Sequence, residues 1–217
     1  VFKSSVLLSS GAAQADGGNI LRGIEFQEKG VALLENLGSK KIRIAANRAA
    51  IARLKVSVGD LDGAARYLDR SRALLDRMES GSRAPRDLLA IPQATLLRAE
   101  SLIAAKSGRY GEAEAKARAA LTLIEKLIAD KVQPRSDLPV YPMETTLKLN
   151  KINTLGGLAR ALARQDRLAE AEIAAREAIA IAAAAFGRNS IYMARALDPM
   201  VLVLSRTGRL PEARKLA

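Results

Sequence analysis

A short phrase occurs four times in this chain, and it limits what the chain can fold into. The copies are Gly59-Asp60-Leu61-Asp62-Gly63-Ala64-Ala65, Gly108-Arg109-Tyr110-Gly111-Glu112-Ala113-Glu114, Asp166-Arg167-Leu168-Ala169-Glu170-Ala171-Glu172 and Gly208-Arg209-Leu210-Pro211-Glu212-Ala213-Arg214. Each follows an apolar helical stretch and opens another, so the phrase reads as a turn between two antiparallel helices. One such hairpin cannot bury its apolar face alone, and stacked neighbours share a continuous core. The expected fold is therefore all-α: an α-solenoid of antiparallel helix pairs.

The helical reading rests on spacing. Leu155, Leu158, Ala159 and Leu162 fall at i, i+3, i+4 and i+7, one face of a helix. Beyond the turn, Ala171, Ala175, Ala178, Ile179 and Ala182 continue the pattern, and Ala113, Ala117, Ala120, Leu121 and Ile124 match it in the second copy. Ala64, Leu68, Ser71 and Leu75 give a weaker version in the first. Expected helices cover roughly 1–9, 19–36, 40–57, 60–78, 88–106, 109–128, 144–164, 167–185, 189–206 and 209–217, with ends good to about 2–4 residues.

Local chemistry supports the turns. Gly59, Gly108 and Gly208 stand where a helix ends in a left-handed residue, a conformation that glycine adopts without strain. Asp166 takes that place in the third copy, at some cost. Pro211 falls in the first turn of its helix, where its missing N–H does no harm. Pro199 is expected to kink the ninth helix, or to start a fresh one capped by Asp198. The phrases are 49, 58 and 42 residues apart, so the connections differ in length. Ser80 to Pro92 and Asp130 to Pro142, each with several Pro or Gly residues, read as loops.

Composition removes whole classes of chemistry. The chain has no Cys and no His, which excludes a Cys nucleophile, a Ser-His pair and thiolate or imidazole metal sites. No pair of acids converges by spacing, and nothing resembles a phosphate-binding glycine loop. No catalytic residue, metal site or cofactor is expected, and the chain reads as a non-enzyme. Its formal net charge is +12, which suits acidic peptides, nucleic acid or anionic surfaces. A solvated, arginine-rich helical surface would give the same total.

The ends read as cut. The chain opens on Val1 without Met and stops at Ala217 within an expected helix, as a fragment of a longer protein would. Ala13-Gln14-Ala15 imitates a signal-peptide cleavage site, but the run before it, Val6-Leu7-Leu8, is shorter than the ~7–15 apolar residues required. The Ala-rich run 178–185 falls short of the ~20 residues that span a bilayer. A cytoplasmic location is expected, without membrane contact.

The phrase, the helix pairs and the small-residue spacing resemble tetratricopeptide repeats. In that family a Gly closes the first helix, an Ala follows five residues later, and a small residue seven after that. Gly59/Ala64/Ser71, Gly108/Ala113/Ala120, Asp166/Ala171/Ala178 and Gly208/Ala213 fit, with Ala52, Ser101, Ala159 and Val201 seven before the turn. The resemblance covers residues 40–217 as an array of about four repeats, the last truncated, and leaves 1–39 as a degenerate repeat or cap. The family's first-helix Trp and Tyr are missing; Arg48 and Lys55 stand there in the first copy. The long second helices and the Phe186-Gly187-Arg188-Asn189-Ser190 connection look like the longer bacterial type, similar to kinesin light chain repeats.

The resemblance implies a right-handed superhelix whose first helices line an inner groove. Groove positions carried over from the family fall on Arg53, Arg98, Lys106, Asn153, Arg160, Arg164, Arg195 and Arg206, with Asp198 as the one acid. Guanidinium forks hold carboxylates bidentately. The expected function is therefore a protein- or peptide-binding scaffold for an acidic segment, the interaction or sensor part of a larger bacterial protein. Two alternatives stay open: a nucleic-acid module that holds phosphates, and a self-associating segment that regulates an attached catalytic domain. Gly156-Gly157, inside a first helix, points to close helix packing or to room for a ligand backbone.

Overall fold

The computed structural model describes residues 2–38, 41–80, 86–130 and 143–216. They form α1 (Phe2–Asp16), α2 (Ile20–Asn36), α3 (Lys41–Ser57), α4 (Leu61–Ser80), α5 (Arg86–Lys106), α6 (Tyr110–Ala129), α7 (Met143–Arg164), α8 (Leu168–Phe186), α9 (Ile191–Arg206) and α10 (Leu210–Leu216). The chain divides into two compact units, Val1–Ile103 and Ala104–Ala217. The all-α repeat architecture holds in each. The connecting segments 81–85 and 131–142, which the sequence reads as loops, lie outside the described residues.

All four phrases close the same turn. In the first copy the Asp60 N–H donates to the Lys55 carbonyl and the Gly59 N–H to that of Val56. The equivalent pairs recur at Arg109 and Gly108, at Arg167 and Asp166, and at Arg209 and Gly208. This crossed pattern satisfies the last carbonyls of the first helix and needs a left-handed residue at its centre. Gly59, Gly108 and Gly208 take φ of 83°, 76° and 75°, and Asp166 takes 64° as the one described non-glycine residue in that region.

A fifth copy of the turn joins α1 to α2. Gly18 has φ of 90°, and the Asn19 N–H donates to the Gln14 carbonyl. Counting from Gly18 puts Gly11 seven before, Gly23 five after and Gly30 twelve after, so glycine holds every small position. The α1–α2 crossing needs it: a Cβ on Gly11 would lie 2.8 Å from the Gly23 carbonyl oxygen, and one on Gly23 2.8 Å from that of Gly11. This corrects the expected end of the first helix at residue 9, since α1 runs through Gly11 to Asp16. The glycine sits at the crossing and does not stop the helix.

In the first unit α3 is buried on two sides. Ile44, Ile51 and Leu54 pack with Leu8 of α1 and Ile24, Val31 and Leu34 of α2. Ala45, Ala49, Ala52 and Val56 pack with Ala64, Leu68 and Leu75 of α4 and Leu89, Leu96 and Ala99 of α5. Ser71, at the small position of α4, is fully buried and donates its hydroxyl to the Ala45 carbonyl at 2.8 Å. In the second unit one core joins Leu121 of α6, Leu155, Leu158 and Leu162 of α7, Ala171, Ala175 and Ala178 of α8, Val203 and Leu204 of α9 and Ala213 of α10. Alanine on the second helices lets the axes approach closely; truncating a larger fully buried side chain such as Leu162 would cost about 2–5 kcal/mol.

Two prolines lie inside helices. Pro92 falls both in the segment read as a loop and in the expected helix 88–106; the helix reading holds, since α5 starts at Arg86 and contains it. Pro199 does not start a fresh helix, because α9 runs unbroken from Ile191 to Arg206. Each removes an intrahelical hydrogen bond, at about 3 kcal/mol in a helix interior. Both are fully buried, so packing offsets that cost. Gly156 makes the room: a methyl there would lie 3.3 Å from Pro199 Cγ.

Candidate binding surface

The eight basic or amide residues singled out from the sequence all lie on first helices: Arg53 on α3, Arg98 and Lys106 on α5, Asn153, Arg160 and Arg164 on α7, Arg195 and Arg206 on α9. Their environments differ. Lys106, Arg164 and Arg206 are exposed and end their helices, where a cation complements the carbonyl end of the helix dipole. Arg206 also places Nη2 3.4 Å from Asp166 Oδ1, at the preceding turn. Asn153 spends its amide on the Leu149 carbonyl, 2.8 Å away on its own helix.

Asn153, Gly157, Arg160 and Arg164 follow one another at i, i+4, i+7 and i+11, so they form a stripe along α7. A Cβ built on Gly157 meets nothing within 4 Å. The two adjacent glycines thus have different reasons: Gly156 admits Pro199, whereas Gly157 borders open space. Across from the stripe, Arg160 donates from Nη1 to Asp198 Oδ2 of α9 at 2.7 Å. The one acid among the groove positions is therefore already engaged.

In the first unit Arg53 and Arg98 are half-buried. Burial, and after it the Arg53 charge, pushes the Arg98 guanidinium down to about 9. It still carries its proton at neutral pH. Two residues beyond Arg98, Glu100 is buried and accepts from Arg72 of α4.

The sequence reading missed a ladder of ion pairs along the turns. Arg167 bonds Glu170 in its own repeat at 2.6 Å and Glu114 in the preceding repeat at 2.6 Å. Arg209 repeats this with Glu212 at 2.6 Å and Glu172 at 2.7 Å. Gln165 Nε2 adds a donor to Glu114 at 3.0 Å. Glu114 and Glu172 also bond the cation one turn further on their own helices, Arg118 at 2.9 Å and Arg176 at 2.5 Å. Asp62 and Arg66 have the same i,i+4 spacing, yet no ion pair joins them among the described residues. The half of the ladder within each repeat was legible, as Arg-x-x-Glu recurs in three phrases. The half between repeats joins residues more than 35 apart, which no local spacing reveals.

A cavity of about 490 Å³ opens between α6 and α8 over Leu155, Leu158 and Leu162 of α7, with Arg118, Ile173 and Glu177 at its edge; none of the eight residues lines it. Among the described residues no group of acids could hold a metal ion, and no helix is long and apolar enough to cross a membrane.

Repeated helix pairs, joined by one turn and pinned by one ladder, define a helical-repeat protein. Residues 152–192 match the family model of the tetratricopeptide repeat, and they cover α7 from Ile152 onward, its turn, α8 and the start of α9. Over that segment the chain is similar to a tetratricopeptide repeat. Two solved structures of nearly identical TPR-like repeats from Podosopora anserina, of kinesin light chain type, share its fold. One, a single-substitution variant, has 17% identity and a TM-score of 0.54 over 97% of this chain and 89% of its own. The other has 17% identity and a TM-score of 0.53 over 97% and 90%. No curated protein matches the chain. Repeats of this family are generally protein–protein interaction scaffolds and are typically non-catalytic.

Proposed function

We propose that this chain binds a protein or peptide partner and recognises an acidic segment of it through the cations of its first helices. The observation that carries this reading is the α7 stripe. Arg160 and Arg164 stand one turn apart beside the open space at Gly157, so an extended backbone has room to approach the guanidiniums closely. Arg160 already holds a carboxylate, that of Asp198, which supports the same chemistry for a ligand's acid. Arg164 is exposed and makes no ion pair among the described residues.

A phosphate-binding reading draws on the same charge, but the aromatics do not favour it. Single-strand binders stack bases on exposed rings. Here Phe186 packs on Tyr192 with ring centroids 4.6 Å apart, and Lys55 sits over the Tyr67 ring at 5.7 Å.

The experiment is a pull-down from the source organism's lysate, run with and without nuclease, at low and high salt, and with an Arg160→Glu/Arg164→Glu variant. A nuclease-resistant protein partner, lost at high salt and lost with the variant, is the expected result. Capture that vanishes with nuclease would replace this reading with the phosphate one. Capture of only the chain itself would replace it with self-association.

A further inference from the structure

The cavity of the second unit is closed at both ends by ion pairs. Its walls are α6 and α8, and its floor is Leu155, Leu158 and Leu162 of α7. At one end Arg118 reaches across to Glu170, with 3.4 Å between Nη2 and Oε2. At the other, Lys151 Nζ lies 3.0 Å from Glu125 Oε1 and 2.8 Å from Glu177 Oε1. The middle stays open, where α8 offers only Ala174 and the exposed Ile173.

The first unit has the same gap and fills it. Glu125 stands 17 residues after the turn at Gly108, and Glu177 stands 11 after Asp166. The same positions in the first unit are Glu35 of α2, 17 after Gly18, and Arg70 of α4, 11 after Gly59. Arg48 of α3 joins them as Lys151 does, bonding Glu35 Oε1 at 2.8 Å and the Arg70 carbonyl at 3.0 Å. Ala174, eight after Asp166, corresponds to Tyr67, eight after Gly59. Tyr67 packs on the core shared by α2 and α3 and donates its hydroxyl to Glu28 of α2 at 3.1 Å. Lys55 of α3 lies 5.7 Å from its ring. An aromatic ring thus plugs the space between the second helices α2 and α4. In the second unit alanine removes that ring, and the floor changes with it: Leu155 and Leu162 stand where Arg48 and Lys55 stand in the first.

The rim selects the sign of a ligand's charge. Burial works against the Lys151 charge, but the bonds to Glu177 and Glu125 outweigh it and raise its pKa above the ordinary value. One ammonium therefore serves two carboxylates, both about half exposed, and that end keeps a net negative charge. A cation placed there would complete the second pair, and an acid would be repelled.

We propose that the cavity between α6 and α8 binds an aromatic side chain of a partner segment, with a Lys or Arg of that segment over Glu125 and Glu177. The ring takes the place that Tyr67 fills in the first unit. Such a ring buries roughly 150–250 Å² and acts as an anchor for the segment. This goes beyond the acidic-segment reading and does not rest on it, because the leucine floor lies on the opposite side of α7 from Asn153, Arg160 and Arg164.

The test is fluorescence anisotropy with three labelled, end-blocked peptides: one with a central Tyr among Lys and Ser, one with Ser in place of the Tyr, and one with Glu in place of every Lys. The first should bind, and each of the others about tenfold or more weakly. Ala174→Tyr copies the first unit's plug into the second. It should weaken binding of the first peptide about tenfold or more, while the thermal midpoint stays level or rises because a cavity has been filled. Ile173→Ser, at a wall residue 66% exposed, should weaken binding without repacking the core and guards against a folding defect. If the Tyr and Ser peptides bind alike, or both variants bind the Tyr peptide as tightly as the original chain, no ring enters the cavity and the site is wrong. Equal binding of the Lys and Glu peptides overturns the cation's place. If the original chain binds none of the three, and sedimentation shows copies of it pairing unless Ala174→Tyr is present, the occupant is a second copy and the partner proposal falls.

Discussion

Replacing Gly157 by alanine tests the packing of α7 one methyl at a time. In a helix interior glycine is less favourable than alanine by about 0.8–1.0 kcal/mol. At position 157 the new methyl meets nothing within 4 Å, so no steric cost offsets the gain. Gly157→Ala should therefore stabilise the chain by nearly that amount, or about 2–4 °C in thermal midpoint for a chain of this size. At position 156 the same gain meets Pro199 Cγ at 3.3 Å, and Pro199 is fully buried, so it has little freedom to move. The two effects oppose each other, and Gly156→Ala should fall clearly below Gly157→Ala. Urea and thermal unfolding followed by helical circular dichroism would measure both. A destabilised Gly157→Ala, or a Gly156→Ala that is the more stable of the two, would refute the reasoning. The same variant bears on function: if the partner's backbone passes over Gly157, Gly157→Ala should bind more weakly although it is more stable.

Three further outcomes are expected. Gly11→Ala would put a methyl 2.8 Å from the Gly23 carbonyl oxygen; this overpacking should cost about 1–3 kcal/mol, seen as a lower urea midpoint. Glu114 is mostly buried and accepts from Arg118, Arg167 and Gln165; with half-exposed cationic partners, Glu114→Gln should cost about 1 kcal/mol, a larger effect on the urea midpoint than Glu212→Gln at an open carboxylate. Burial opposes ionisation of Glu114, but hydrogen bonds from Arg118, Gln165 and Arg167 outweigh it, and Arg167 and Arg209 act likewise on Glu170 and Glu212; all three lie below their ordinary value of 4.5. A carboxylate depressed in the folded state stabilises it above the unfolded value and loses that effect as pH falls through the folded one, so the thermal midpoint should hold at neutral pH and drop below about pH 4.5, less steeply in Glu114→Gln.

The sequence by itself determined the turns. Left-handed φ, small residues at fixed offsets and apolar periodicity are local demands, so four phrases sufficed to place eight of the ten helices, and Asp166 showed that even the non-glycine copy obeys the rule. The family resemblance rested on the same residues and was borne out by the match over 152–192. Only the tertiary structure decided the rest. Gly11, Gly23 and Gly30 fit the repeat spacing, yet their sense, a close crossing of α1 and α2, depends on which backbone lies opposite. Pro92 and Pro199 look like helix breakers when local hydrogen bonds are counted alone, yet both stand fully buried inside helices, Pro199 beside Gly156 of α7. The ion-pair ladder and the Arg160–Asp198 pair join residues 37 to 53 positions apart. Charge partners on adjacent helices are set by how one repeat stacks on the next, and a chain's linear order carries that stacking only once it has folded.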